Sequence, residues 1–169
     1  MVLTDDEGLA QEIRKLRYHG KKDGDFVDIG CNSQMSTLTA AILRHKLRHY
    51  DDLLGLRDSI ACWYSYALRD VVEVSSRPMD HAWSWSKFVI KTDKRDELQK
   101  FLFGRGIDTC IHYPRPLNQY RQFGFWKQET PIADRLSQRC LSLPIYPFMS
   151  NEEVDYVICS ILMFFDKEK

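Results

Sequence analysis

The chain has 169 residues, a length that fits one domain or one domain with a short appendage, and its 44% hydrophobic content is enough to bury a core. Lys plus Arg is 24 and Asp plus Glu is 24, so the formal net charge is zero and gives no global electrostatic case for nucleic acid or an anionic membrane as partner. Cys31, Cys62, Cys110, Cys140 and Cys159 are odd in number, widely spaced and without a CxxC pair, which argues against a disulfide framework and a zinc or other metal site and fits a reducing, cytoplasmic setting. Met1 to Asp6 shows no basic region followed by an apolar stretch, so no signal peptide is read. The apolar run 157–165 is too short to cross a bilayer.

Thr4-Asp5-Asp6-Glu7 reads as a capping box, with the Thr4 hydroxyl on the Glu7 amide and the Glu7 carboxylate reaching back. Leu9, Ile13 and Leu16 follow at helical spacing, and Gly20 with the polar run Lys21 to Asp25 ends that helix in a loop. A second helix is predicted over 34–49 with Leu38, Ile42, Leu43 and Leu47 inward. A third is predicted over 50–69 with Leu53, Leu56, Ile60, Tyr64 and Ala67 on one stripe. Strands are predicted at 71–74, 85–91 and 107–112, with a loop at 75–80 and a helix at 93–103 stopped by Gly104 and Gly106. Thr130-Pro131 opens a further helix, and Ser150-Asn151-Glu152-Glu153 is a capping box for a last one, apolar at Val154, Val157, Ile158, Ile161, Leu162 and Phe165. The order implies an α+β fold: a small sheet covered by helices, preceded by a helical arm.

Two loops draw chemical interest. Gly30-Cys31-Asn32-Ser33-Gln34-Met35-Ser36 precedes a helix, where an amide side chain and helix-terminal N–H groups suit an anion; the plainer reading is that Asn32 or Ser33 caps that helix. His112-Tyr113-Pro114 closes a predicted strand, a common place for ligand contacts, though a His beside a proline-rich turn also serves structure. His19 and Arg17 at the end of the first helix are explained by the helix dipole. Trp83 and Trp85 read as packing, and Lys87 as a solvated strand lysine.

Taken in order, these segments resemble the DegT-type family of pyridoxal-phosphate (PLP) dependent sugar aminotransferases. The similarity runs through Thr4 to Arg14, Leu16-Arg17-Tyr18-His19-Gly20, Gly30-Cys31-Asn32-Ser33-Gln34-Met35 with Ala40 to Leu43, Arg105-Gly106-Ile107 with Ile111 to Leu117, and Leu141 to Pro147 with Asn151 to Val157. The resemblance implies the C-terminal part of a fold-type-I aminotransferase. Residues 1–50 would be a remnant of the large PLP-binding domain with the linking helix, and 51–169 the small α+β domain. It implies PLP as cofactor and a nucleotide sugar as substrate. Asn32, with Gln34 beside it, would face the cofactor phosphate across a dimer interface, and His112 and Tyr113 would lie near the substrate entrance.

The sequence also departs from that family. No residue of the chain matches the Schiff-base lysine, the carboxylate paired to the pyridine nitrogen or the aromatic that stacks on the ring, so no catalytic residue is assigned and PLP is expected not to be held covalently. Gln34 stands where the family has Arg, and Ser86 where it has His. The resulting expectation is a truncated family member, inactive alone, that forms a homodimer or joins a Lys-bearing N-terminal half. The alternatives are a non-catalytic binding or assembly module and one half of a split aminotransferase.

Overall fold

The computed structural model describes residues 2–75, 77, 83–123 and 129–166, and divides into two compact units, Met1–His49 and Tyr50–Lys169. Part of the loop expected at 75–80 lies outside the described residues.

In the first unit, α1 spans Glu7–Leu16 and is capped by Asp6, whose carboxylate accepts from the Leu9 amide at 3.0 Å. The capping box expected from Thr4 and Glu7 does not form. Thr4 Oγ1 instead accepts from the Asp6 amide at 3.1 Å, and the Glu7 carboxylate runs along the helix to Gln11 and Arg14. A negative charge at the cap meets the positive end of the helix, so Asp6 displaces the neutral hydroxyl. The segment expected as a loop after α1 contains a hairpin. Strand β1 (Lys21–Lys22) pairs antiparallel with β2 (Asp25–Phe26), and Asp23 and Gly24 sit between them at φ 51° and 96°. Asp-Gly with both φ positive suits the tightest hairpin turn.

Helix α2 spans Thr37–Leu47 and is capped by Ser36, whose hydroxyl accepts from Thr39 at 3.1 Å; it therefore starts later than expected, and neither Asn32 nor Ser33 is its cap. Leu38, Ile42, Leu43 and Leu47 are exposed rather than inward, Leu38 by 72%. Their spacing is helical, but this unit of 49 residues has no core to receive them.

The second unit opens with α3 (Tyr50–Leu68). Of its expected stripe, Ile60 and Tyr64 are buried, while Leu56 is exposed. Strands β3 (Glu73–Val74), β4 (Phe88–Lys91) and β5 (Cys140–Leu143) form an antiparallel sheet in that order, with Phe88 opposite Leu143 and Lys91 opposite Cys140. Phe88 and Ile90 are fully buried, and Val89 and Lys91, which alternate with them, only partly, as strand alternation requires. The strand expected at 107–112 reduces to one bridge, Cys110 to Ser142. The β5 segment, which the sequence reading passed over, takes the place beside β4.

Among the described residues this unit has four α-helices, α3, α4 (Arg95–Gly104), α5 (Pro131–Arg139) and α6 (Asn151–Asp166), and two short 3-10 turns at Leu117–Gln119 and Arg121–Phe123. Gly106, at φ 74°, closes α4. Its amide bonds the Phe103 carbonyl and the Ile107 amide bonds that of Leu102, the paired pattern of a left-handed helix stop. Pro131 opens α5 at its first turn, without a side-chain cap from Thr130. At α6 the expected capping box is present: Ser150 Oγ accepts from the Glu153 amide, and the Glu153 carboxylate accepts from the Ser150 amide.

Tyr64, Phe88, Leu98, Leu102, Leu141 and Ile161 centre the core. The Tyr64 hydroxyl donates to the Pro144 carbonyl at 3.0 Å, and burial raises its pKa well above the usual phenol range. Trp85, buried beside Phe88, donates its indole N–H to Asp58 at 2.8 Å and so serves packing, as expected.

Two glycine substitutions separate conformational cost from collision. Nothing lies within 4 Å of a Cβ built on Gly106, so Gly106→Ala meets only the left-handed backbone penalty. It should lower stability in urea unfolding by about 1–2 kcal/mol. At Gly30 a Cβ would fall on the Gly20 amide nitrogen and the Leu16 carbonyl oxygen. Gly30→Ala should therefore displace the 28–33 loop, seen as amide chemical-shift changes confined to residues 16–33.

Candidate functional site

The loop carrying Asn32 is built from backbone bonds. Gly20, at φ 71°, accepts at its carbonyl from Val27 at 3.0 Å and from Asp28 at 3.2 Å. Cys31 donates to the Leu16 carbonyl at 2.9 Å, His19 to Cys31 at 3.1 Å and Ser33 to Arg17 at 3.0 Å, and Tyr18 and Asn32 bridge antiparallel. A Cβ on Gly20 would strike the Asp28 carbonyl. Two glycines thus let the end of α1 and this loop touch backbone to backbone. Lys15 fastens the outer side, donating to Asp28 at 3.0 Å; this bond and the Ile29 amide hold the Asp28 carboxyl below its ordinary range.

Asn32 is exposed, and among the described residues its side chain makes no hydrogen bond. Since Ser36 caps α2, the plainer explanation for Asn32 is removed. Gln34 lines a cleft of about 690 Å³ together with Thr4, Arg14, Arg17, Ser33 and Met35. Arg14 is paired to Glu7 at 3.3 Å, whereas Arg17 has no ion-pair partner among the described residues. The cleft therefore offers one free guanidinium, an amide and a hydroxyl, a set suited to an anion.

The structure also brings His112 and Tyr113 together on a groove of about 580 Å³. Their rings meet edge to face, with centroids 5.5 Å apart, and the peptide between them is cis. The groove runs on over Leu117, Tyr120 and Phe123 to Leu136 and Cys140 of the α5–β5 segment. It is chiefly apolar and aromatic, with Arg115 as its cation. His112 Nδ1 lies 2.9 Å from Ser142 Oγ. Arg115 follows Tyr113 by two residues in the same motif, whereas Tyr120 and Cys140 come from separate stretches and sequence reasoning missed them; the alternation Cys140-Leu141-Ser142-Leu143 was the available signal that a strand returns beside the His112 loop. Asn32 and Gln34 belong to the first unit, His112 and Tyr113 to the second. Among the described residues no three or more His, Cys, Asp or Glu side chains gather as a metal would require, and no helix is long and apolar enough to cross a membrane.

The model of the DegT/DnrJ/EryC1/StrS aminotransferase family matches residues 1–162, and the chain belongs to that family. The erythromycin biosynthesis sensory transduction protein EryC1 of Saccharopolyspora erythraea is 38% identical over 167 residues, covering 95% of this chain and 45% of that protein. The dTDP-3-amino-3,6-dideoxy-α-D-galactopyranose transaminase of Aneurinibacillus thermoaerophilus is 34% identical over 160 residues, 93% of this chain and 44% of that one. The crystal structure of a DegT DnrJ EryC1 StrS aminotransferase from Brucella abortus superposes with a TM-score of 0.92 at 35% identity, over 95% of this chain and 44% of the other. The mixed helical and antiparallel architecture is thus that of these aminotransferases, and the chain spans about 45% of the length of the curated relatives it matches.

Cys140 reports on the groove. Burial pushes its thiol above the ordinary value of 9.0, so less of it is thiolate at any given pH. At pH 8, iodoacetamide with peptide mapping should modify Cys140 more slowly than the exposed Cys31, Cys62, Cys110 and Cys159. Equal rates at all five would contradict the groove as described.

Proposed function

We propose that this family member supplies the phosphate-facing loop and the substrate-entrance groove of a PLP-dependent nucleotide-sugar aminotransferase, and is catalytically silent without residues from outside its 169. The observation that carries this reading is the Asn32 loop. Its backbone is held by five bonds to residues 16–20, its side chain is unused, and the helix after it is capped by another residue. A loop fixed in this way presents the side-chain amide from an ordered backbone, so a phosphate oxygen gains the bond without further loss of backbone entropy.

The donors present suit the phosphate of PLP and not its ring. Asn32, with Gln34 and Arg17 as flanking donors, would hold the phosphate; no residue here matches the lysine, carboxylate and stacking aromatic that the ring needs. PLP, when bound, supplies the electron sink that amino transfer requires. This chain's own part is to bind and to orient. Gln34 in place of Arg leaves an uncharged donor in the cleft, and Arg17 provides the cation there. His112 and Tyr113 contribute a ring nitrogen and a phenol to the groove, where Arg115 suits a diphosphate and the aromatic rings suit a planar base. A reducing cytoplasm fits the five unpaired thiols.

The missing groups belong to another stretch of the same polypeptide or to a separate chain. Either arrangement gives the α2 face a place to be buried. Leu38, Ile42, Leu43 and Leu47 lie open on one helix, and we propose that they pack against a second subunit or a Lys-bearing half.

Three experiments test the assembly, the missing lysine and the loop. Sedimentation of the chain at tens of micromolar should show a dimer or larger; a clean monomer would remove the case for a covered α2 face. The isolated chain, treated with PLP and borohydride, should give no stoichiometric pyridoxyl-lysine at one position by mass spectrometry. Once a Lys-bearing segment is supplied, Asn32→Ala should cost the bond to a charged phosphate, roughly 1.5–3 kcal/mol, a ten- to hundredfold loss of PLP affinity. The melting temperature of the isolated chain should not move, because Asn32 caps nothing. A lower melting temperature with unchanged affinity would sink the assignment.

A further inference from the structure

The geometry points to Ser142 as a positioning residue that fixes His112 in the tautomer bearing its proton on Nε2, so that the groove is offered a neutral N–H donor. This rests on placing His112 among the ligand contacts, as proposed above.

Ser142 sits in β5 and is 6% exposed. Its backbone is fully engaged: the amide donates to the Cys110 carbonyl at 2.8 Å, and its carbonyl accepts from the Cys110 amide at 3.2 Å. Its hydroxyl has one partner among the described residues, His112 Nδ1 at 2.9 Å. A hydroxyl carries one proton, and burying that proton without an acceptor is costly. If Nδ1 carried the hydrogen, it would donate to Oγ and leave the hydroxyl proton with no acceptor. If Nδ1 is bare, the hydroxyl donates to it and both groups are satisfied. The second arrangement is the favoured one, and in the neutral ring it places the hydrogen on Nε2.

The Cys110–Ser142 bridge sets the distance. It pins the strand end that leads through Ile111 into His112 against the residue whose hydroxyl holds the ring. Since Nδ1 is occupied and His112 lines the groove, Nε2 is the ring nitrogen left to a ligand, and it donates. A donor without charge suits a sugar hydroxyl or a carbonyl oxygen, while Arg115 in the same groove supplies the charge for an anionic group.

The test is the long-range proton–nitrogen NMR spectrum of the imidazoles of the full chain at a pH where His112 is neutral, assigned with His112→Gln. We expect a single Nε2–H tautomer for His112. In Ser142→Ala the two tautomers should exchange, drawing the Nδ1 and Nε2 shifts toward each other, and Ser142→Thr, which keeps the hydroxyl, should restore the original pattern. An Nδ1–H tautomer in the unmodified chain, or a Ser142→Ala spectrum that matches it, would overturn the inference. The unmodified spectrum decides alone if Ser142→Ala does not fold. No ligand is needed, so this outcome is independent of the PLP-affinity measurement that tests the functional assignment.

Discussion

The contact between Gly20 and Gly30 is the constraint on which the candidate phosphate site depends. Side chains on either residue would hold the end of α1 and the 28–33 loop apart, because a Cβ on each would meet backbone atoms of the other segment and not a movable side chain. With hydrogen there instead, the Leu16, Arg17 and Gly20 carbonyls at the helix end find amide donors in the loop. Those carbonyls lack partners within the helix, so one contact both ends α1 and orders the segment carrying Asn32. The amide is presented by a braced backbone rather than by a loop free to fold away.

The second unit solves a different problem, which is to hold a three-stranded sheet whose strands are only two to four residues long. Short strands give few ladder bonds, so side chains secure the end of the sheet where Glu73, Lys91 and Cys140 lie side by side. Glu73 of β3 takes Lys91 of β4 at 2.6 Å and Arg139, at the end of α5, at 3.2 Å, and Arg139 also reaches Asp93. The Glu73 carboxyl is held below its ordinary range first by the bond from Lys91. Beneath this layer, the buried Arg95 donates to the carbonyl of Ser137, tying α4 to α5 just before β5 begins. The position of β5 places Cys140 under the groove and Ser142 against His112.

How far the sequence could be read depended on whether the deciding interaction was local. The Ser150–Glu153 box, the Gly106 stop and Pro131 at the start of α5 rest on residues three or four apart, and each appears in the structure. The Thr4–Glu7 box failed for an equally local reason, a competing carboxylate at Asp6. The Asp23-Gly24 turn carried its own signal, yet two-residue strands leave too little alternation to announce a hairpin. The third strand was assigned to 107–112 because those residues suit a strand. Whether they pair over a long stretch depends on β5, some thirty residues on, and the pairing partner is not written in the local composition. For the candidate site, resemblance singled out Asn32 and His112, and the bonds that hold each of them, from residues 16–20 and from Ser142, carry no local sequence signal.

Helix α2 shows how an error of burial can carry information. Its residues Leu38, Ile42, Leu43 and Leu47 keep a helical period, from which an inward face follows, and yet all four stand exposed. Periodicity tells that a face is apolar; it does not tell which surface covers it. A helix that kept such a face only to expose it would have no reason to place apolar residues on it at regular spacing. This chain matches its relatives over less than half their own length, and the rest of such a relative is one surface that the proposed cover could resemble. Intramolecular packing and docking of another subunit would use the same residues, and the sequence pattern is identical for both. The exposed face and the unused Asn32 amide are separate observations, one on α2 and one on the loop before it, and the proposed completion by residues outside this unit accounts for both.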